Sequence, residues 1–345
     1  MTRPVDVPDT DPGFERLRTP EKAGRLLLAP SFLRTRFDAL AVDCPFVFRH
    51  NGRAHMTYVG WDGVGYQTGL ASSDDLVHWQ PEGVIFGRDG RDDLRRHNAA
   101  MTSILRDNDL FGSGELIAQD SRYFATWHAY PDSGYETGPG VIGFAASPDL
   151  RSWEPVGGLL RPGEGGAWDA GGLYKSWLLR HDGLYYVFYN AKNQTTGSWR
   201  EQTGVAVSED LLTWTRPVDG PVLRNCGPGD FDERFASDPC VLRWGDRWVM
   251  FYFGLAADGH AREGWAWSTD LLTWTKGGTI LLDVGPRGSI DSLHAHKPAV
   301  IADDAGRLHH FYCAVARREP VRVGDHEQRE MRGISVATSP TSRLS

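Results

Sequence analysis

The chain has 345 residues, with 37 Lys and Arg against 45 Asp and Glu, a net charge of −8, and 40% apolar residues. That composition excludes a disordered, collagen-like or coiled-coil chain, and the negative balance leaves no overall positive field to attract nucleic acid or an anionic membrane. Its 40 glycines and 13 tryptophans suit a fold with many turns and an aromatic cleft.

Residues 1–17 lack a charged-then-apolar leader pattern, and no run approaches about 18 consecutive apolar residues, so a soluble cytoplasmic protein is expected. Residues 1–40 match no repeat. Beyond them the sequence repeats itself. Ser73-Asp74-Asp75-Leu76-Val77-His78-Trp79 has the pattern S-x-D-L-x-x-W, which returns at 147–153, 208–214 and 268–274 and degrades to Ala337-Thr338-Ser339-Pro340. Five units of about 60–75 residues result.

Each unit has one internal order. Unit one reads Phe46-Val47-Phe48, the turn Asn51-Gly52, His55-Met56-Thr57-Tyr58-Val59, then Tyr66 to Ala71; unit four reads Val241-Leu242, Gly245-Asp246, Trp248 to Phe253, then Gly264 to Trp267. Short β-branched and aromatic runs split by such turns are hairpin signals, so each unit predicts an antiparallel meander. Radial repetition of four-stranded sheets protects their edges. The expected fold is all-β: one domain over residues 1–345, a five-bladed β-propeller of four-stranded antiparallel blades. Unit five lacks an outer strand, so Leu26-Leu27-Leu28 is expected to close the ring. The Asp and Trp of S-x-D-L-x-x-W read as scaffold, the one capping backbone N–H groups and the other filling space between blades. Of Cys44, Cys226, Cys240 and Cys313, three sit in apolar runs and none has C-x-x-C spacing, which predicts buried free thiols.

In such a ring the first strands of all units start at one end of the channel. Aligning them sets Asp43-Cys44-Pro45 against Ser237-Asp238-Pro239, with His296-Lys297-Pro298 in unit five and Tyr174-Lys175-Ser176 in unit three. Unit two aligns around Gly112-Ser113-Gly114-Glu115. Burying charges together is costly unless they bind something or do chemistry, so Asp43, Asp238, Tyr174, Lys175, His296 and Lys297 are read as one site.

These repeats and first-strand patterns resemble the five-bladed β-propeller glycosidases, which include glycoside hydrolase families 43, 32, 117 and 130. The resemblance implies an enzyme that cleaves glycosidic bonds, with Asp43 similar to the family 43 base, although there the Asp directly precedes the proline. It gives the acid role to Asp238 or Glu233, and through family 117 offers His294 and His296 as well. Hydrolysis with inversion needs an acid and an ionised carboxylate roughly 6.5–9.5 Å apart, and a third carboxylate, Glu115 or Asp169, would raise the acid. Lys175 and Lys297 either balance the carboxylates or hold an anion, with His97 and Arg234 assisting. Trp61 and Trp168 lead the sugar-stacking candidates, with Trp127, Tyr135 and Trp199 behind them. The expected activity is exo-acting, inverting hydrolysis of short oligosaccharides. The alternatives are a family 130 type phosphorylase holding phosphate with Lys175, Lys297 and His296, and a non-catalytic carbohydrate-binding propeller. The partner is a small carbohydrate, not nucleic acid or membrane. No cofactor is called for, and His294, His296, His309 and His310 are not assigned to a catalytic metal; a structural calcium in the channel stays open.

Overall fold

The computed structural model describes residues 14–134, 136–323 and 326–340. Among them the one helical turn is a 3-10 helix at Phe14–Leu17, and everything else regular is strand. No helix is long and apolar enough to cross a membrane. After β1 (Glu21–Lys22), the strands β2 (Ala41–His50), β3 (Arg53–Trp61), β4 (Tyr66–Ser73) and β5 (Gln80–Phe86) form one antiparallel sheet in chain order. β6 (Ala100–Ile104), β7 (Tyr123–Ala129), β8 (Val141–Ser147) and β9 (Glu154–Leu160) form a second.

The remaining strands lie on one path made of three meanders. These are β10 (Gly172–His181), β11 (Leu184–Lys192) and β12 (Glu201–Ser208); β13 (Phe235–Trp244), β14 (Arg247–Leu255), β15 (Ala261–Ser268) and β16 (Thr275–Lys276); and β17 (His294–Ala302), β18 (Leu308–Val323) and β19 (His326–Thr338), with β1 beside β19. Single parallel bridges, Glu201 to Phe235 and Ala261 to His294, link them. β2 packs on β6 and β17, β10 on β6 and β13, and β13 on β17, so the first strands face one another in a cycle of the β-propeller type. Being covered on both faces, they read as near-continuous apolar runs.

The repeated turn behaves as its pattern implies. Asp75 Oδ1 accepts from Val77 and His78 N–H, and Asp149, Asp210 and Asp270 do the same two and three residues on. Trp79 meets Phe311, Trp214 meets Phe144 and Trp274 meets Phe188, each across a gap between sheets. Cys44, Cys240 and Cys313 are buried free thiols; Cys226 is exposed.

A second repeated device is less visible in the sequence. Lys276 pairs with buried Asp232, which also accepts from Tyr252 Oη at 2.9 Å. Lys22 pairs with Asp291 at 2.6 Å, and Tyr312 Oη donates to the same oxygen at 3.0 Å. Arg216 reaches Asp169 at 3.1 Å and Tyr189 Oη at 2.9 Å. Lys22 therefore stands, on the N-terminal segment, where outer-strand cations stand elsewhere. Leu28 bridges Ile334, and Phe14 and Leu17 are buried in the main core. Deleting residues 1–28 is expected to lower stability by at least about 3–6 kcal/mol from those two side chains alone; an unchanged melting temperature would show that the segment contributes nothing.

One alignment fails. The first strand of the second unit is β6, not residues near 112–116. Residues 105–117 instead cross the far end of the cycle, where Glu115 bridges Arg49 and Asp109 bridges Arg243. There the buried Arg106 guanidinium donates to Val47 O at 2.5 Å and Val300 O at 2.9 Å. A cation thus already occupies this end of the channel.

Candidate active site

Every first strand carries an irregularity near its start: between Asp43 and Phe46, Met101 and Ser103, Tyr174 and Ser176, Ser237 and Cys240, and His296 and Ala299. At four of these bulges one residue has a left-handed backbone: Cys44 (φ 48°), Lys175 (28°), Asp238 (55°) and Lys297 (65°). Three precede a proline, which itself disfavours helical backbone at that position. Such strain persists only where the surroundings enforce it, and bulges of this kind re-aim side chains next to active sites.

The re-aimed side chains meet. Asp43 Oδ2 lies 3.2 Å from Lys297 Nζ and 3.1 Å from Arg332 Nη1, while Oδ1 accepts from Cys44 N–H at 2.8 Å. Burial alone would raise the Asp43 carboxyl, but Lys297 and Arg332 outweigh it and hold it well below the carboxylate range. Asn190 Nδ2 donates to Asp238 Oδ1 at 2.8 Å and to Glu201 Oε2 at 3.1 Å. Glu201 also accepts from Ser237 Oγ at 2.8 Å and Trp199 Nε1 at 2.9 Å. Burial raises Asp238 to about 6, against the pull of Lys297 and Lys175 and with the push of Glu201. Glu136 pairs with Lys192 at 2.8 Å and accepts from Tyr66 Oη at 3.3 Å. Its carboxyl, which burial would raise, is lowered on balance by Lys192 and Lys297.

The histidines are neutral here. Burial lowers His128 to about 3 and His294 to about 4, and drives His296 well below its usual value. His296 Nδ1 donates to Cys313 O at 3.0 Å, which leaves Nε2 facing Arg332 Nη1 at 3.4 Å. Asp43, His296 and Cys313 are close enough to share a metal, but the two cations on Asp43 and the carbonyl on His296 already engage them.

A cavity of about 200 Å³ is lined by Glu136, Tyr174, Glu201, Asp238, His294, His296, Lys297 and Arg332, with Trp199 and Phe235 at its side. A space of about 10 Å³ adjoins it, sharing Glu136, Tyr174 and Lys297 and adding Asp43, Cys44, His128 and Lys175. A third opening of about 520 Å³ reaches Asp43 past Trp61, Tyr66 and Glu330. A groove of about 850 Å³ runs over His260, Arg262, Leu293 and Arg317, whose sequence neighbours Ala261 and His294 line the first cavity.

Of the residues singled out in the sequence, Asp43, Trp61, Tyr174, Lys175, Asp238, His294, His296 and Lys297 come together. The others do not. Glu115 sits at the opposite end of the first strands, its backbone bridging Arg49. Asp169 is held by Arg216 and Gly163 N–H in the scaffold device, and Trp168 stacks on Tyr189. Glu233 Oε2 caps Gly229 N–H at 2.7 Å, and Arg234 lies over Phe235. His97 sits in the loop after β5, its carbonyl pressed against Gly65. Trp127 is core, donating to Phe144 O. Tyr135 lies outside the described residues. Glu136, Lys192, Glu201 and Arg332 went unrecognised in the sequence. Antiparallel pairing returns the end of each second strand and the start of each third strand to the same rim, and that rule alone would have pointed to Lys192 and Glu201.

No protein-family model matches the sequence. A solved structure described as a complex of BT0996 and RGII is 30% identical, with a TM-score of 0.78 and 96% of each protein covered. Another, described as "Glycoside hydrolase", is 29% identical, with a TM-score of 0.77 and the same coverage. A probable sucrose-6-phosphate hydrolase of Psychromonas ingrahamii is 31% identical over 133 residues, 37% of the present sequence and 23% of that protein, so the match spans under a quarter of the relative. The cycle of antiparallel meanders and the carboxylate-lined cleft define an enzyme of the carbohydrate-cleaving propeller class. The protein belongs to the β-propeller glycoside hydrolases.

Proposed function

We propose that the meanders are five blades of one propeller closed by the N-terminal segment, and that the enzyme removes single sugars from the ends of short oligosaccharides by inverting hydrolysis. Asp238 is the general acid. The observation that carries this reading is a buried carboxyl held near 6 in the same cavity as ionised carboxylates, the separation of roles that glycoside hydrolysis requires. Glu201, tied to Asp238 through Asn190, is the like charge that helps keep the proton in place.

For the base, Asp43 carries two cations and is correspondingly weak, because proton-accepting power falls with the pKa. Glu136, on a single lysine and facing both inner cavities, is the better base. About 200 Å³ suits one sugar ring, below the volume of most ligand pockets, which favours exo action with the rest of the saccharide over the larger groove. A phosphorylase reading is less favoured, because the space of about 10 Å³ beside Lys175 admits a water rather than a phosphate.

RGII, named with the 30% identical structure, is the first substrate to try. Release of one terminal sugar without added phosphate, first seen by proton NMR as the opposite anomer, is the expected result. A retained anomer would overturn inversion. Azide should restore turnover to Glu136→Gln but not to Asp43→Asn if Glu136 is the base; the reverse result returns the role to Asp43.

A further inference from the structure

The mechanism above leaves Lys175 unused. Its side chain is 1% exposed, and its Nζ has no hydrogen-bond partner in the protein. An ammonium taken out of water without a partner is costly, so this position calls for something to receive its hydrogen bonds. The backbone adds to the cost: Lys175 has φ 28° at the bulge of β10, the same repeat position as Asp238 and Lys297. No nearby carboxylate closes an ion pair with it, unlike Lys192 on Glu136 or Lys297 on Asp43.

The space beside it is small and polar. At about 10 Å³ it meets the lower limit for one water molecule, about 10–15 Å³, and its walls offer the two to four polar partners that a buried water needs. Asp43 and Glu136 supply acceptors; Lys175 and Lys297 supply donors. His128 is fixed as well: it accepts from Lys175 N–H at Nδ1, 3.3 Å away, which leaves its proton on Nε2. Glu136, Tyr174 and Lys297 face both this space and the sugar-sized cavity, so whatever sits here borders the sugar.

We propose that this space seats the attacking water, with Lys175 Nζ donating to its oxygen and the Asp43 and Glu136 carboxylates receiving its two hydrogens. The proposal rests on the reading of Glu136 and Asp238 as base and acid. As the water oxygen bonds to the anomeric carbon, Glu136 takes one water proton, the glycosidic C–O bond breaks and Asp238 gives its proton to the departing oxygen. Glu136 ends protonated and Asp238 ionised, and a proton returning through solvent resets both. Lys175, touching the reacting oxygen, is then a catalytic residue, and its unpaired ammonium is the donor that fixes the water's lone pairs toward the sugar.

Two measurements test this on the full-length protein. A crystal structure of the wild type at about 1.5 Å or better should place an ordered water within roughly 2.6–3.2 Å of Lys175 Nζ and of a Glu136 or Asp43 oxygen, and Lys175→Met should lose it. A direct Lys175–carboxylate pair, or no water there, overturns the proposal. With the 4-nitrophenyl glycoside that the wild type cleaves fastest, Lys175→Ala should lose about 10²–10³-fold in kcat with KM little changed. Methylammonium chloride should restore at least tenfold where sodium chloride does not. Unchanged kcat, a loss carried by KM, or no rescue overturns it. Because an unpaired buried charge is removed, neither variant should melt lower than the wild type. If the wild type cleaves no glycoside, the functional reading fails, and the crystallographic arm still decides whether Lys175 holds a water.

Discussion

The rate should fall as pH rises through about 6, because the general acid works only while Asp238 keeps its proton. Asp238→Asn should abolish that basic limb and cost about 10²–10⁴-fold in kcat/KM on saccharide substrates, and far less on aryl glycosides whose leaving group needs no proton. The same carboxyl sets a stability dependence of opposite sense. Burial, aided by Glu201, raises it from 3.8 to about 6, so the folded state binds this proton more tightly than the unfolded one. Stability from this group is therefore greatest below about pH 4 and falls as pH rises toward and past 6, by roughly 3 kcal/mol in all. Asp238→Asn should raise the melting temperature at pH 8 and leave it unchanged at pH 4. A variant that loses activity without gaining stability at pH 8 would mean that the carboxyl is not held protonated, and the acid role would pass to another group.

The architecture was legible because the turns carry their own chemistry. An Asp that caps two N–H groups and a Trp that spans to the next sheet are needed in every unit, so the pattern survives four times. The inner rim was legible where a proline marks the bulge, at Pro45, Pro239 and Pro298. It failed in the second unit, where β6 has neither proline nor charge and Thr102 stands at the bulge. The alignment drifted to Gly112-Ser113-Gly114, and Glu115 was carried to the wrong end of the channel.

Asp169 failed for a different reason. A buried carboxylate before a first strand looks alike whether it serves chemistry or scaffold, and its partner Arg216 lies 47 residues away. In the last sheet the same role pairs Asp291 with Lys22 across 269 residues, a separation that no local pattern can reveal. Arg332 was hidden similarly: it sits on the long β19, and what it does depends on Asp43 at the other end of the sequence.

Lys297 is where these charges are balanced, and Lys297→Met should separate its roles. It touches Asp43 directly, and its charge also lowers Asp238 and Glu136. Removing it leaves Asp43 with Arg332 alone, so the loss should sit near the lower end of the 3–5 kcal/mol typical of a broken buried pair, about 3 kcal/mol at pH 7. Asp238 loses its strongest opposing charge, so its proton should be held more tightly and the basic limb of kcat/KM should move upward by roughly one unit. The double variant Lys297→Met with Asp43→Asn removes the stranded carboxylate, and should recover most of the stability while keeping the displaced limb, since Asp43 is not among the groups that set Asp238. If the limb returns to its original position in the double variant, the shift came from distortion around Asp43 rather than from the missing charge, and the cleft would not be the coupled electrostatic unit that the acid assignment requires.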